Sequence, residues 1–243
     1  MKKTVKLEEQ MESSWISFWN NHDIYSQLRP DFKYKFAKLI FERLLILFDN
    51  RTNINILDFG CGDATMANWI VKTGHNLYLY DVSKYYLTKA QEKFSNERNI
   101  TIVDPDSYNS ITNQSIDMVI VSSVTQYLTN LQFKTEMKRW VEILKSGGIV
   151  ILCDVVPPSS NFMSETLSLF FSSIKHNFVF GFLQLVLLRS KPSRCKTLRK
   201  PLHLYKYSKK DIEELASSFG LIVSEYYENI GLFSSRKTYI LTK

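Results

Sequence analysis

Apolar residues recur at helical spacing over residues 8–48: Met11, Trp15 and Trp19 share one face, and after Pro30 the run FKYKFAKLIFERLLILF keeps the period. From residue 53 the pattern changes. Short apolar runs at 53–59, 75–81, 99–103, 115–123 and 149–156 read as strands. Amphipathic stretches at 64–74, 83–95 and 131–144 read as helices between them, the second capped by Ser83 and the first stopped by Gly74. Near-continuous apolar strands joined through helices predict a parallel sheet covered on both faces. The end of the chain departs from this rhythm. A helix over 208–220, capped by Ser208, precedes strands at 221–228 and 237–243, whose connection is too short for a crossover helix, so they should pair antiparallel.

Charge changes the picture in one place. The chain of 243 residues carries a formal net charge of +7, and all of it lies between Val156 and Tyr207, which holds eight basic residues against the single acid Glu165. Cys61, Cys153 and Cys195 are far apart and show no metal spacing, which suggests a reducing compartment, and no metal site is expected. The lysines at the start have no apolar run behind them, so no secretory signal is read and a cytoplasmic location is expected.

The chemistry begins at ILDFGCGDAT (56–65), where a strand runs into Gly60 and Gly62. Glycines there let the backbone turn tightly and approach a ligand, and a helix beginning near Asp63–Ala64 would aim its amides at it. The third glycine of the dinucleotide fingerprint is missing, since Thr65 stands in its place. Asp58, at the strand's end, would repel a pyrophosphate but attract a cation. Asp81, nineteen residues after Gly62, ends the second strand, where an acid can bind both hydroxyls of a ribose. A ligand with a ribose at one end and a positive group at the other satisfies both acids, and S-adenosylmethionine is such a ligand.

With these residues in view, the chain resembles the class I S-adenosylmethionine-dependent methyltransferases over roughly 53–155 and again over 208–243. ILDFGCGDAT resembles the family's first motif and LYLYDVSKYYLTKAQEKF its second strand and helix, while IDMVIVSSVTQYL and LKSGGIVILCDV match its fourth and fifth strands. The resemblance implies an α/β, Rossmann-like, doubly wound sheet of seven strands, mostly parallel with an antiparallel last strand and helices on both faces. It also implies site roles. Asp58 and the Gly60–Cys61–Gly62 backbone would hold the methionine part, Asp81 the ribose, and Val82 would pack on the adenine. Asp106 would meet the adenine amino group, and Ser122 would lie under the cofactor. Cys61 is expected to contribute backbone rather than sulfur. Around Asp106 the spacing is one residue longer than usual and Pro105 replaces a common glycine, so Asp104 stands as the alternative.

No motif residue is obliged to act as base. Asp154, at the end of the fifth strand, and the histidines His203 and His22 are the candidates, and Tyr25 is a candidate cofactor contact from the N-terminal lid. The whole chain reads as one methyltransferase domain: a helical lid (1–52), the cofactor-binding core (53–155), a basic, partly helical cap (156–207) and the C-terminal helix and strand pair (208–243). In the cap, FVFGFLQLVLL (178–188) is too short to span a bilayer and runs into RSKPSRCKTLRK. Two readings stay open: a lid helix with a solvated basic loop, or peripheral docking of 178–200 on an anionic membrane surface or an acidic lipid-linked substrate. Nucleic acid is disfavoured, because strand four ends SSVTQY without an Asn/Asp-Pro-Pro-aromatic motif and no Pro-Cys nucleophile is present. The expected reaction is methyl transfer to a small-molecule, lipid-linked or sugar-linked acceptor, on oxygen first, with nitrogen or carbon as alternatives. An RNA methyltransferase, a non-catalytic cofactor-binding or membrane-adaptor protein, and an oxidoreductase are the competing readings. The oligomeric state is left open.

Overall fold

The computed structural model describes residues 15–20, 30–49, 51–176 and 204–243. Seven strands form one sheet in the order β3-β2-β1-β4-β5-β7-β6. They are β1 (Asn55–Phe59), β2 (Asn76–Tyr80), β3 (Ile100–Val103), β4 (Ile116–Ser122), β5 (Leu144–Val155), β6 (Ile222–Glu225) and β7 (Lys237–Thr242). The pairs β1–β2, β1–β4, β2–β3 and β4–β5 are parallel, and β7 runs antiparallel to both β5 and β6. The predicted doubly wound sheet with an antiparallel last strand is therefore present.

Alternate residues of the central strands go to opposite faces. Ile56, Met118, Ile120, Ile151 and Cys153 join Leu44, Ile70 and Phe94 on one side, under α1 (Pro30–Phe48), α2 (Ala67–Lys72) and α3 (Lys84–Phe94). Leu57, Phe59, Val119, Val121, Val150 and Leu152 meet Phe133, Trp140 and Ile212 on the other, under α4 (Asn130–Ile143) and α6 (Lys209–Ser217). Both faces being covered is why these strands carry apolar runs rather than an alternation of polar and apolar. A further helix, α5 (Phe162–Lys175), follows β5.

Local signals were mostly sound. Ser208 caps α6 through a reciprocal box with Asp211, and Gly74 and Gly220 sit at positive φ past their helices. Two boundaries move. The helix expected from Ala64 begins at Ala67, because Ala64 itself adopts a positive φ of 46° and cannot start a helix. β5 starts at Leu144, directly after α4, and absorbs the Gly147–Gly148 turn as an irregularity in its pairing with β4.

Candidate functional site

The strand order reverses between β1 and β4, which opens a crevice at the carboxyl ends of those strands. Three loops form its floor: residues 60–66 after β1, 81–83 after β2 and 122–127 after β4. Gly60 has φ of 79°, and a Cβ on it would run into the Val124 side chain, so this turn accepts only glycine. The Gly60 and Cys61 amides both donate to the Tyr80 carbonyl, at 2.8 and 3.0 Å, and the Gly62 amide donates to Asp81 Oδ2 at 2.9 Å. The three loop amides are thus satisfied inside the protein. At the Gly60–Gly62 turn itself the groups left for a ligand are carbonyl oxygens, partners for a cation rather than for a phosphate.

The acids complete this polarity. Asp58 is buried, and no hydrogen bond from the described residues reaches its carboxylate. Burial, then the like charges of Asp81 and Asp63, push its pKa up to about 7. Asp81 is also raised by burial, but the Ser83, Gly62 and Val82 amides oppose the shift, and its Oδ1 accepts from Ser83 N at 2.8 Å. Asp63 is only loosely matched by Lys33, at 3.9 Å. A buried carboxylate near two others creates a negative potential that favours a cation. The Cys61 thiol, raised well above its ordinary value by burial and then by Asp58, is held protonated and is no nucleophile.

The remaining predicted contacts fall around this centre. Val82 is exposed beside Asp81, and Ser122 ends β4 in register with Cys153. Asp104 and Asp106 have separated roles. The Asp104 carboxylate accepts from Ser107 N at 2.7 Å and from its hydroxyl, which holds its pKa below the usual range and closes the turn after β3. Asp106 stands exposed on the same turn.

The N-terminal segment crosses the crevice. Trp15 and Trp19 lie against Tyr127, with ring centroids 4.3 and 5.5 Å apart. On the opposite wall the Ser83 hydroxyl donates to Asn20 Oδ1 at 3.0 Å and to the Trp19 carbonyl at 3.3 Å. Ser83 was expected to cap α3 with its side chain. It makes no such bond and instead fastens residues 15–20 over the site. Tyr25, His22 and His203 lie outside the described residues, as does the 178–200 stretch.

Asp154 occupies the expected end of β5, but both of its oxygens are engaged. Oδ2 accepts from Arg236 Nη1 at 2.7 Å and from the Ser123 hydroxyl at 2.8 Å, and Oδ1 accepts from Asn229 Nδ2 at 2.8 Å. Arg236 also binds Glu165 of α5 at 2.8 Å. Asp154 and Ser123 both adopt positive φ, 63° and 57°, so two strand ends are held in a conformation that costs about 1–3 kcal/mol each. The protein's own side chains thus hold both oxygens of Asp154 in place. Arg236, Asn229 and Glu165 were missed by the sequence reading. Glu165 lies 71 positions from Arg236, while Asn229 and Arg236 lie 75 and 82 positions from Asp154, and no local motif marks them.

Comparison with known proteins agrees with the geometry. Residues 57–152 match the methyltransferase domain family. An uncharacterised methyltransferase from Bacillus mycoides (strain KBAB4) is 27% identical over 126 residues, which cover 52% of this chain and 58% of the relative, so the match spans little more than half of that protein. The fold is similar to that of a SAM-dependent methyltransferase from Archaeoglobus fulgidus, with a TM-score of 0.58 at 14% identity over 87% of this chain and 98% of that one. It is also similar to magnesium protoporphyrin IX methyltransferase from Synechocystis PCC 6803 with bound SAH, with a TM-score of 0.51 at 14% identity over 95% and 92% of the two chains. Residues 57–152 therefore match a methyltransferase domain, and the chain has the fold of S-adenosylmethionine-dependent methyltransferases, which implies S-adenosylmethionine as its cofactor.

Proposed function

We propose that the chain transfers a methyl group from S-adenosylmethionine to a small-molecule, lipid-linked or sugar-linked acceptor, with oxygen as the acceptor atom. The observation that carries the reading is the buried Asp58, reached by no hydrogen bond from the described residues, beside Asp81 and Asp63 and next to the Gly60–Gly62 turn whose amides are already satisfied. Such a site suits a cationic ligand and opposes a dinucleotide pyrophosphate. When bound, the cofactor supplies an electrophilic methyl group on a sulfonium. On this reading Asp58 and the Gly60–Gly62 carbonyls hold the cationic half, Asp81 accepts from the ribose hydroxyls, Val82 packs on the adenine, and Asp106 accepts from its amino group. Ser122 supports the cofactor from the end of β4.

The chain's own contribution to the reaction is alignment and exclusion of water. Residues 15–20, fixed at Ser83 and Tyr127, close the crevice from above. Asp154, tied to Arg236, shapes the acceptor side. The acceptor's proton leaves to one of the proposed bases, Asp154, His203 or His22. The sparse cysteines, with Cys61 and Cys153 free, support a reducing, cytoplasmic setting.

Transfer of label from methyl-labelled cofactor to fractionated lipids, small metabolites and RNA tests the proposal. Label is expected in a lipid or small-molecule fraction. Label confined to RNA would replace the acceptor class. Calorimetric binding of S-adenosylhomocysteine without transfer to any fraction would favour a non-catalytic adaptor.

A further inference from the structure

Helix α5 is built inside out. Its polar residues face the protein: Glu165 binds Arg236, and the Ser168 hydroxyl lies 2.9 Å from that of Ser234 and accepts from Ser235 N at 3.0 Å. Leu169 packs on Leu232 beside Phe36, Leu39 and Phe233, and an Asn161–Ser164 box caps the start. These contacts fix the helix's rotation about its axis. As a result every exposed position of α5 except Lys175 is apolar. Met163 (71% exposed), Leu167 (52%), Phe171 (63%) and Ile174 (51%) form a continuous ridge at helical spacing. A surface helix ordinarily turns such a ridge inward, and an outward one of this size marks an interaction surface.

The charge along the chain points to the occupant. No acidic residue falls between Glu165 and Asp211, whereas Lys175 ends the helix and Arg189, Lys191, Arg194, Lys196, Arg199 and Lys200 follow. An apolar ridge that ends in Lys175, continued in the sequence by a stretch with six more cations and no acid up to Lys200, matches a surface that is greasy within and negative at its boundary. We propose that the outer face of α5 docks on an anionic lipid bilayer, with Met163, Leu167, Phe171 and Ile174 entering the headgroup–acyl boundary and Lys175 at the headgroup level. Among the described residues no helix is long and apolar enough to cross a membrane, so the contact is interfacial. Because Glu165 ties α5 to Arg236 and Asp154, the ridge lies one helix away from the acceptor side of the crevice. The inference rests on the methyltransferase reading only for this last point, which makes a membrane-resident acceptor the substrate class.

The test uses the full chain in flotation with vesicles of phosphatidylcholine alone and of phosphatidylcholine with about one third phosphatidylglycerol. The wild type should float with the anionic vesicles and be left behind by the neutral ones. L167E/F171E should lose anionic binding about tenfold or more while keeping its melting temperature, because both side chains are exposed. Binding of S-adenosylhomocysteine, measured on the same samples, reports separately on the methyltransferase reading. A wild type that ignores anionic vesicles overturns the proposal. So does a marked fall in the melting temperature of L167E/F171E, which would show that the ridge is covered by the chain's own 178–188 segment. Conversion of a wild-type dimer to a monomer by the same substitutions would assign the ridge to a second copy and equally overturn it.

Discussion

Arg236 and Asp154, 82 positions apart in the chain, meet in a buried ion pair of 2.7 Å, and the same guanidinium reaches Glu165 of α5. One side chain therefore joins the end of β5, the start of β7 and the cap helix. Breaking a buried pair by removing one partner leaves the other charge without compensation, at about 3–5 kcal/mol. Arg236→Ala should lower the melting temperature by roughly 10 °C and weaken acceptor turnover through the loosened cap. Asp154→Asn, which keeps the shape and can still accept from Ser123, should cost less. A thermal melt of Arg236→Ala superimposable on the wild type would remove the latch from the account.

On the proposed cofactor site, Asp58 should make cofactor binding and stability respond to pH in opposite directions. Its folded pKa is raised from 3.8 to about 7. In the empty protein the folded state therefore binds the more protons, so this group's stabilisation is complete below about pH 3.8 and is lost as pH rises to about 7, on the order of 4 kcal/mol in all. A cation should bind the ionised form better, so wild-type affinity for S-adenosylmethionine should climb between about pH 5 and 8. Asp58→Asn should bind weakly at every pH yet gain on the wild type in denaturant stability toward pH 8. Calorimetry and urea melts at several pH values measure both, and a wild-type affinity flat across this range would count against the assignment.

Asp104 and Asp106 can be told apart by what each loses. Asp104→Ala removes the acceptor for Ser107 N and its hydroxyl, and should lower the melting temperature slightly. Asp106→Ala should leave the melt unchanged and weaken cofactor binding about tenfold. The reverse pattern would move the adenine contact to Asp104.

Tyr127→Ala removes the ring against which Trp15 and Trp19 lie. Bound S-adenosylhomocysteine should then dissociate about tenfold faster in stopped flow, with a red-shifted tryptophan emission as residues 15–20 lift. Asn20→Ala, which removes the acceptor of the Ser83 hydroxyl, should act in the same direction from the opposite wall. Unchanged dissociation in both variants would separate this segment from the site.

What was legible in the sequence is what short stretches encode. The loop at 56–65, Asp81 and the strand rhythm are each contained in a few consecutive residues, and Ser208 and Gly74 announce helix ends through their own backbone preferences. What escaped depends on partners brought together by the sheet. Asp154 looked like a free acid because nothing near it in sequence mentions Arg236 or Asn229. Ser83 looked like a cap because position suggested it, and tertiary contact with Asn20 redirected its hydroxyl. The start of α2 was misplaced because Ala64 has ordinary helical preference, and only the tight turn after Gly62 forces it to a positive φ.

The surplus of acids around Asp58 has a consequence for turnover. S-adenosylmethionine carries one more positive charge than the S-adenosylhomocysteine it leaves behind. A pocket with negative charge in excess holds the first more firmly than the second. Delivery of the methyl group thus switches off part of the attraction that retained the ligand, and the spent molecule is the one most easily exchanged. The chain would resist product inhibition most at alkaline pH, where Asp58 is ionised, and least where it is protonated.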